Sequence, residues 1–226
     1  ARTVKRHFPS IEVRASVNMR IGTPEAMALV SGLFDGFYLQ RDVQRRLDRV
    51  RVAKAWCEEH GKKLYLLANS GCLTHCPGQT FHDNMVAHDA EIDEHKNIPE
   101  WTPFVCWSNY RNEEARPAIL QSTWIRPEDV HHYEGLADGM KLATRMHSPP
   151  RMVLHAYCEE KYSGNLLDLL EPSFSSLFAP HLLDNTSFPP EWFARTFGPE
   201  QARALAPVMA AYAEGWAKGE HGRQPA

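Results

Sequence analysis

"LYLLANSGCLTHCPGQTFHDN", Leu64 to Asn84, decides the fold. Lys63 to Ser70 carries a continuous apolar run in Leu64–Leu67, the pattern of a strand covered on both faces. The run stops at a turn punctuated by Gly71 and Pro77. Cys72, His75 and Cys76 crowd into that turn, and His82 lies shortly after it. A strand covered on both faces belongs in a parallel sheet, where binding side chains collect beyond the carboxyl ends of strands.

Working outward, strand and helix patterns alternate. Ile11 to Met19 alternates apolar and polar residues, as a strand does. Thr23 to Phe34 reads as a helix with Thr23 as its N-cap and Pro24 in its first position. Gly36 to Arg41 is a short second strand. Val43, Leu47, Val50, Ala53 and Trp56 then mark one face of a helix that stops at Gly61. Beyond the quoted stretch, Ile119 to Asp129 reads as a fourth strand leading into a helix opened by Pro127. Gly139 to Arg145 reads as a fifth, followed by a helix from Pro149. This order predicts an α/β fold with parallel strands joined by crossovers. Five strand units are fewer than a closed barrel has, so a partial or N-terminally shortened TIM barrel is expected over residues 1–171. Residues 172–226 change character: a proline-, serine- and aromatic-rich segment, then a helix that Pro207 should kink, then a disordered end. They read as an irregular and helical tail packed on the barrel-like domain.

Composition excludes several classes. Hydrophobic residues make up 43% and charged residues 23% of 226, an ordinary globular balance. A net charge of -3 offers no bulk attraction to nucleic acid. The basic run Arg41 to Arg51 is interrupted by aspartates and reads as a solvated helix face. No apolar run approaches the roughly 20 residues that a membrane span needs, and "ARTVKRHFPS" is not a signal peptide. Five irregularly spaced cysteines argue against a disulfide framework and for a reducing, cytoplasmic setting. There is no GxGxxG after the first strand, no H-E-x-x-H and no G-x-S-x-G.

The strand ends supply the candidate site: Asn18 and Arg20; Arg41 and Asp42; Asn69, Ser70, Cys72 and Cys76; Arg126, Glu128 and Asp129; Lys141 and Arg145. Cys72 and Cys76 are spaced so that a tight turn brings both thiolates to one metal. Cys106 precedes the next strand, and Cys158 is the candidate fourth ligand. Cys57, beside Trp56 on a helix, reads as a buried hydrophobe. Spacing leaves zinc, with His75 or His82 as a further ligand, an iron–sulfur cluster, and plain reduced thiols all open.

"SVNMRIGTPEAM", "GFYLQRDV", "LYLLANSGCLTHCPGQTFHDN", "STWIRPEDVHHYEG" and "GMKLATR", in that order, resemble the collagenase-like peptidase family, peptidase U32. The similarity runs from about Pro9 to Leu170. It implies a (β/α) barrel and, as in several members, a 4Fe–4S cluster serving hydroxylation of RNA bases or quinone precursors; zinc is the alternative. By this resemblance Cys72, Cys76 and Cys106 match cysteines in the later part of the barrel and would be ligands of such a cluster, and Asn69, Arg126, Glu128, Asp129, Lys141 and Arg145 match strand-end positions. Ser122 and Thr123 stand where the family pattern has a further cysteine, so the fourth ligand is not given by it. The implied function is iron–sulfur-dependent modification of an RNA or small-molecule substrate. A thiol peptidase acting on peptides, or a scaffold paired with a second barrel protein or with its own copy, are the alternatives.

Overall fold

The computed structural model describes residues 1–92, 105–145, 147–171 and 174–188. The expected terminal helix and its kink at Pro207 lie outside them, as does the chain end. After a short helix α1 (Arg2–His7), four strands build one sheet: β1 (Arg14–Ala15), β2 (Gly36–Tyr38), β3 (Lys63–Leu67) and β4 (Gly139–Lys141). Their spatial order is their order in the chain, and every pairing is parallel, with Ala15 beside Phe37, Phe37 beside Leu64 and Leu66 beside Met140.

The remaining helices are α2 (Pro24–Val30), α3 (Leu47–Glu59), α4 (Gln79–Ile92), α5 (Val105–Tyr110), α6 (Pro150–Cys158) and α7 (Ser175–Phe178). Thr23 caps α2 through its hydroxyl, which accepts the Ala26 N–H, and Pro24 occupies the first position as expected. The α3 helix starts at Leu47, because Arg41–Val43 forms a 3-10 turn, and it buries Val50, Ala53 and Cys57. Gly61 (φ +62) comes just after its end in the left-handed conformation that glycine tolerates.

The two sheet faces differ. Phe37, Leu64 and Leu66 pack with Met27, Val50, Ala53 and Cys57 in the main core. The opposite face holds a small cluster of Val17, Leu67 and Ala143 beside Tyr38, with Arg14 over the Tyr65 ring at 3.9 Å. Residues Leu64–Leu67 of β3 are buried on both faces, and this is why β3 showed an unbroken apolar run.

The expected fourth strand, Ile119 to Asp129, is not part of the parallel sheet. Glu113–Gln121 is a 3-10 helix, and the segment after it, from Ser122, runs antiparallel to the departing end of β3. Leu73 bridges Ser122, Thr123 N–H donates to Cys72 C=O (2.8 Å) and Ile125 N–H to Ala68 C=O (2.8 Å). The Trp124 indole N–H turns back to Ile119 C=O (2.8 Å), which holds the segment in a bend. The first strand also shrinks, because Val17–Met19 coils into a 3-10 turn capped by Ser16.

Phe174, Phe178, Leu183 and Phe188, from the segment assigned to the tail, lie in the main core with Tyr110 and Trp124. Among the described residues no helix is long and apolar enough to cross a membrane.

Candidate active site

The carboxyl rim of the sheet gathers side chains from three strand ends and from α4. After β2, Arg41 donates to the Asn18 amide oxygen at 2.8 Å and stands 4.0 Å from Asp83 of α4. Arg20, past β1, donates to Asp83 at 3.2 Å and to the Thr80 hydroxyl. The Asp42 side chain is almost wholly buried. One of its oxygens accepts the His75 N–H at 2.6 Å and the other accepts Gln40 Nε2 at 2.7 Å. That first bond holds His75 at φ +56 and so sets the shape of the Cys72–Cys76 turn. Asp42 therefore positions the turn.

Cys106 reaches the same place from a distant part of the sequence. It lies on α5 one turn before Tyr110, whose hydroxyl is 3.3 Å from Ser122 Oγ. Ser122 bridges Leu73, and Thr123 binds the Cys72 carbonyl, so one segment holds both the α5 helix and the cysteine turn. The three thiols consequently act on one another. Burial first, and then the neighbouring Cys72 and Cys76, push Cys106 up to about 12. Burial also raises Cys72, against the pull of the Arg41 cation. Burial likewise keeps His82 below its ordinary range.

These thiols are neighbours that do not form a closed cage. Among the described residues no three His, Cys, Asp or Glu side chains converge on a common metal position. Cys158, the expected fourth ligand, is exposed at the last position of α6, and no contact among the described residues joins it to the other three. Cys57 is buried against Met27, with sulfurs 3.9 Å apart, and burial holds its thiol up at about 11.

Several strand-end residues are committed to internal bonds. Arg126 and Asp129, expected to face a ligand, form a bidentate pair at 2.9 Å with both side chains buried. Their i,i+3 spacing across the turn opened by Pro127 brings them together. Asn69 is fully buried. Its amide donates to Ala143 C=O (2.6 Å) and Leu169 C=O (2.9 Å) and accepts the Ala143 N–H (2.7 Å), stitching the end of β3 to neighbouring chain. Glu128 accepts from the Tyr162 N–H and from Asn185, both at 2.7 Å. Lys141 is exposed on the sheet face, 5.9 Å from the Tyr38 ring centroid, and Arg145 is exposed in the turn after β4. Of the sequence-derived set, the rim thus unites Asn18, Arg20, Arg41, Asp42, Cys72, Cys76 and Cys106.

Sequence reasoning missed Asp83, hidden in "FHDN", and misread Arg45. Arg45 is buried, donates to the carbonyls of Leu120 and Ser122, and lies 4.9 Å from the Trp124 ring centroid; burial lowers it to about 10. Its neighbour Gln44, also fully buried, donates to the carbonyls of Leu67 (2.8 Å) and Thr123 (2.5 Å) and accepts the Leu67 N–H (3.2 Å). A buried amide that completes a strand's hydrogen bonding leaves no periodic signal.

No family model and no solved structure matches the chain. The chain is 30% identical over 141 residues to "Uncharacterized protease MJ1657" of Methanocaldococcus jannaschii, an alignment covering 59% of this chain and 39% of that protein. The chain thus spans about two fifths of the length of the relative it matches.

Proposed function

We propose that this chain forms part of a (β/α)-barrel enzyme of the peptidase U32 type, in which Cys72, Cys76 and Cys106 hold an iron–sulfur cluster at the carboxyl rim. The reaction is modification of an RNA or small-molecule substrate that Arg41 helps to bind. The single observation behind this reading is that Tyr110, Ser122 and Thr123 hold α5, which carries Cys106, against the Cys72–Cys76 turn, although the three thiols do not converge on one metal position among the described residues. Sequential parallel order supports the barrel: with crossovers of one hand, an order that never reverses puts every connection on the same side of the sheet. The donor chemistry fits, because thiolates are the soft ligands that iron–sulfur clusters take, as zinc also does. Such a cluster would supply electron transfer or substrate ligation. Asp42 would shape the turn that carries two of its ligands, and Ser122–Thr123 would anchor the third.

The name of the relative favours a second reading, a thiol protease. Burial counts against it at Cys72: it raises that thiol and so disfavours the thiolate that a nucleophile needs.

Iron and acid-labile sulfide, measured on protein purified without air, test the proposal. Wild type and Cys158→Ser should hold iron, while Cys72→Ser, Cys76→Ser and Cys106→Ser should each lose most of it. A well-folded, iron-free wild type would end the reading. Peptide hydrolysis abolished by Cys72→Ala or Cys76→Ala would replace it with the protease.

A further inference from the structure

We infer that Arg20 and Arg41 form an oxyanion subsite beside Cys72, and that Asp83 fills this subsite until a substrate phosphate or carboxylate displaces it. The inference rests on the rim being the active site and adds the chemical class of the group bound there. Two guanidinium groups from adjacent strand ends face one carboxylate, so the group keeps an excess positive charge. The pairing is also loose. Arg20 approaches Asp83 at 3.2 Å, but Arg41 reaches it only at 4.0 Å and spends its good hydrogen bond on the neutral amide of Asn18. Arg41 Nε is buried and finds no partner among the described residues, although the side chain is largely sequestered. A buried charge-bearing donor left without an acceptor is costly, and a planar fork of this kind matches the paired oxygens of phosphate or carboxylate.

Asp83 is attached in a way that lets it leave. It belongs to α4, whose first turn also supplies Thr80, the second acceptor of Arg20. An incoming oxyanion would meet both guanidiniums, the Thr80 hydroxyl and the amino end of a 14-residue helix. Asp42, the residue after Arg41, accepts the His75 N–H of the Cys72–Cys76 turn, so the bound group would hold the rest of the substrate beside that turn.

Calorimetric titration of the full chain at low salt, with inorganic phosphate, N-acetylglycine and chloride as probes, tests this. One of the two oxyanions should bind wild type weakly, bind Asp83→Asn about tenfold tighter, and fail to bind Arg41→Gln or Arg20→Gln. Preference for phosphate assigns the group to a phosphate ester, and preference for N-acetylglycine assigns it to a carboxylate. Equal binding by wild type and Asp83→Asn overturns the proposal. So does binding that survives both arginine changes, or binding that does not distinguish chloride. Should Arg41→Gln fail to fold, Arg20→Gln and Asp83→Asn decide the matter. Iron measured on the same samples keeps the two readings apart: iron-free protein that binds the anion removes only the cluster, and iron-bearing protein blind to anions removes only the subsite.

Discussion

Arg41 and Arg45 lie four residues apart in one basic run, and their surroundings alone make one a candidate ligand of substrate and the other a structural strut. Arg45 donates to two carbonyls of the bend before Trp124, whereas Arg41 donates to the Asn18 amide and faces Asp83 at 4.0 Å. The same contrast separates carboxylates. Asp129 is spent on Arg126, Asp42 shapes the cysteine turn, and Asp83 stands 3.2 Å from Arg20 and 4.0 Å from Arg41. Glu12, on the sheet face away from the main core, has a measurable consequence. It accepts from Lys63 (2.7 Å), the Tyr65 hydroxyl (2.7 Å) and Arg14 (2.5 Å), and these bonds hold its carboxyl down at about 2. A depressed carboxylate stabilises the fold fully above its ordinary value of 4.5, and that contribution is lost as pH falls from there towards 2. Urea midpoints for wild type should therefore drop over that window. Glu12→Gln should flatten the drop and cost at most about 1 kcal/mol at neutral pH, since the pair is solvent-screened.

At the level of elements, the site depends on how β3 ends. Gln44 and Asn69 replace strand partners with side-chain amides, so the chain can leave the sheet and enter the cysteine turn without unpaired backbone groups. Gly71 is the hinge of that departure. A Cβ there would lie 2.0 Å from Phe174 Cε2, and Phe174 packs edge-on against Tyr110, the residue that anchors α5 to Ser122. Gly71→Ala should destabilise the protein by about 1–3 kcal/mol in urea titration and lower iron retention, because the displaced ring disturbs both cysteine-bearing elements. Gly32→Ala, where the added Cβ meets nothing within 4 Å, is the matched control and should leave both unchanged.

For the whole molecule, the described tail residues and the sheet share one hydrophobic interior. Phe174, Phe178 and Leu183 are buried with Tyr110, Leu120 and Leu167, and Glu128 ties Tyr162 to Asn185 across that packing. Removing residues 172–226 should cost about 5 kcal/mol or more, since each lost core phenylalanine alone is worth roughly 3–5 kcal/mol. Urea unfolding monitored by both circular dichroism and tryptophan fluorescence would show it, and an unchanged midpoint would mark the tail as a separate unit. The sequence by itself determined the parallel sheet in outline. The apolar run of β3, the Thr23–Pro24 cap and the α3 face are local patterns whose period or capping chemistry is written in consecutive residues. It also placed Cys72 and Cys76 at a strand end. Tertiary structure decided that Ile119 to Asp129 turns back antiparallel instead of adding a strand, because the partner it satisfies, the free end of β3, is some fifty residues away in the chain. It likewise decided which ionisable groups are internal and which remain available, since Arg126, Asp129 and Glu128 look like Arg41 and Asp83 until their partners are known. Burial and pairing are properties of the folded neighbourhood, and no run of adjacent residues encodes them.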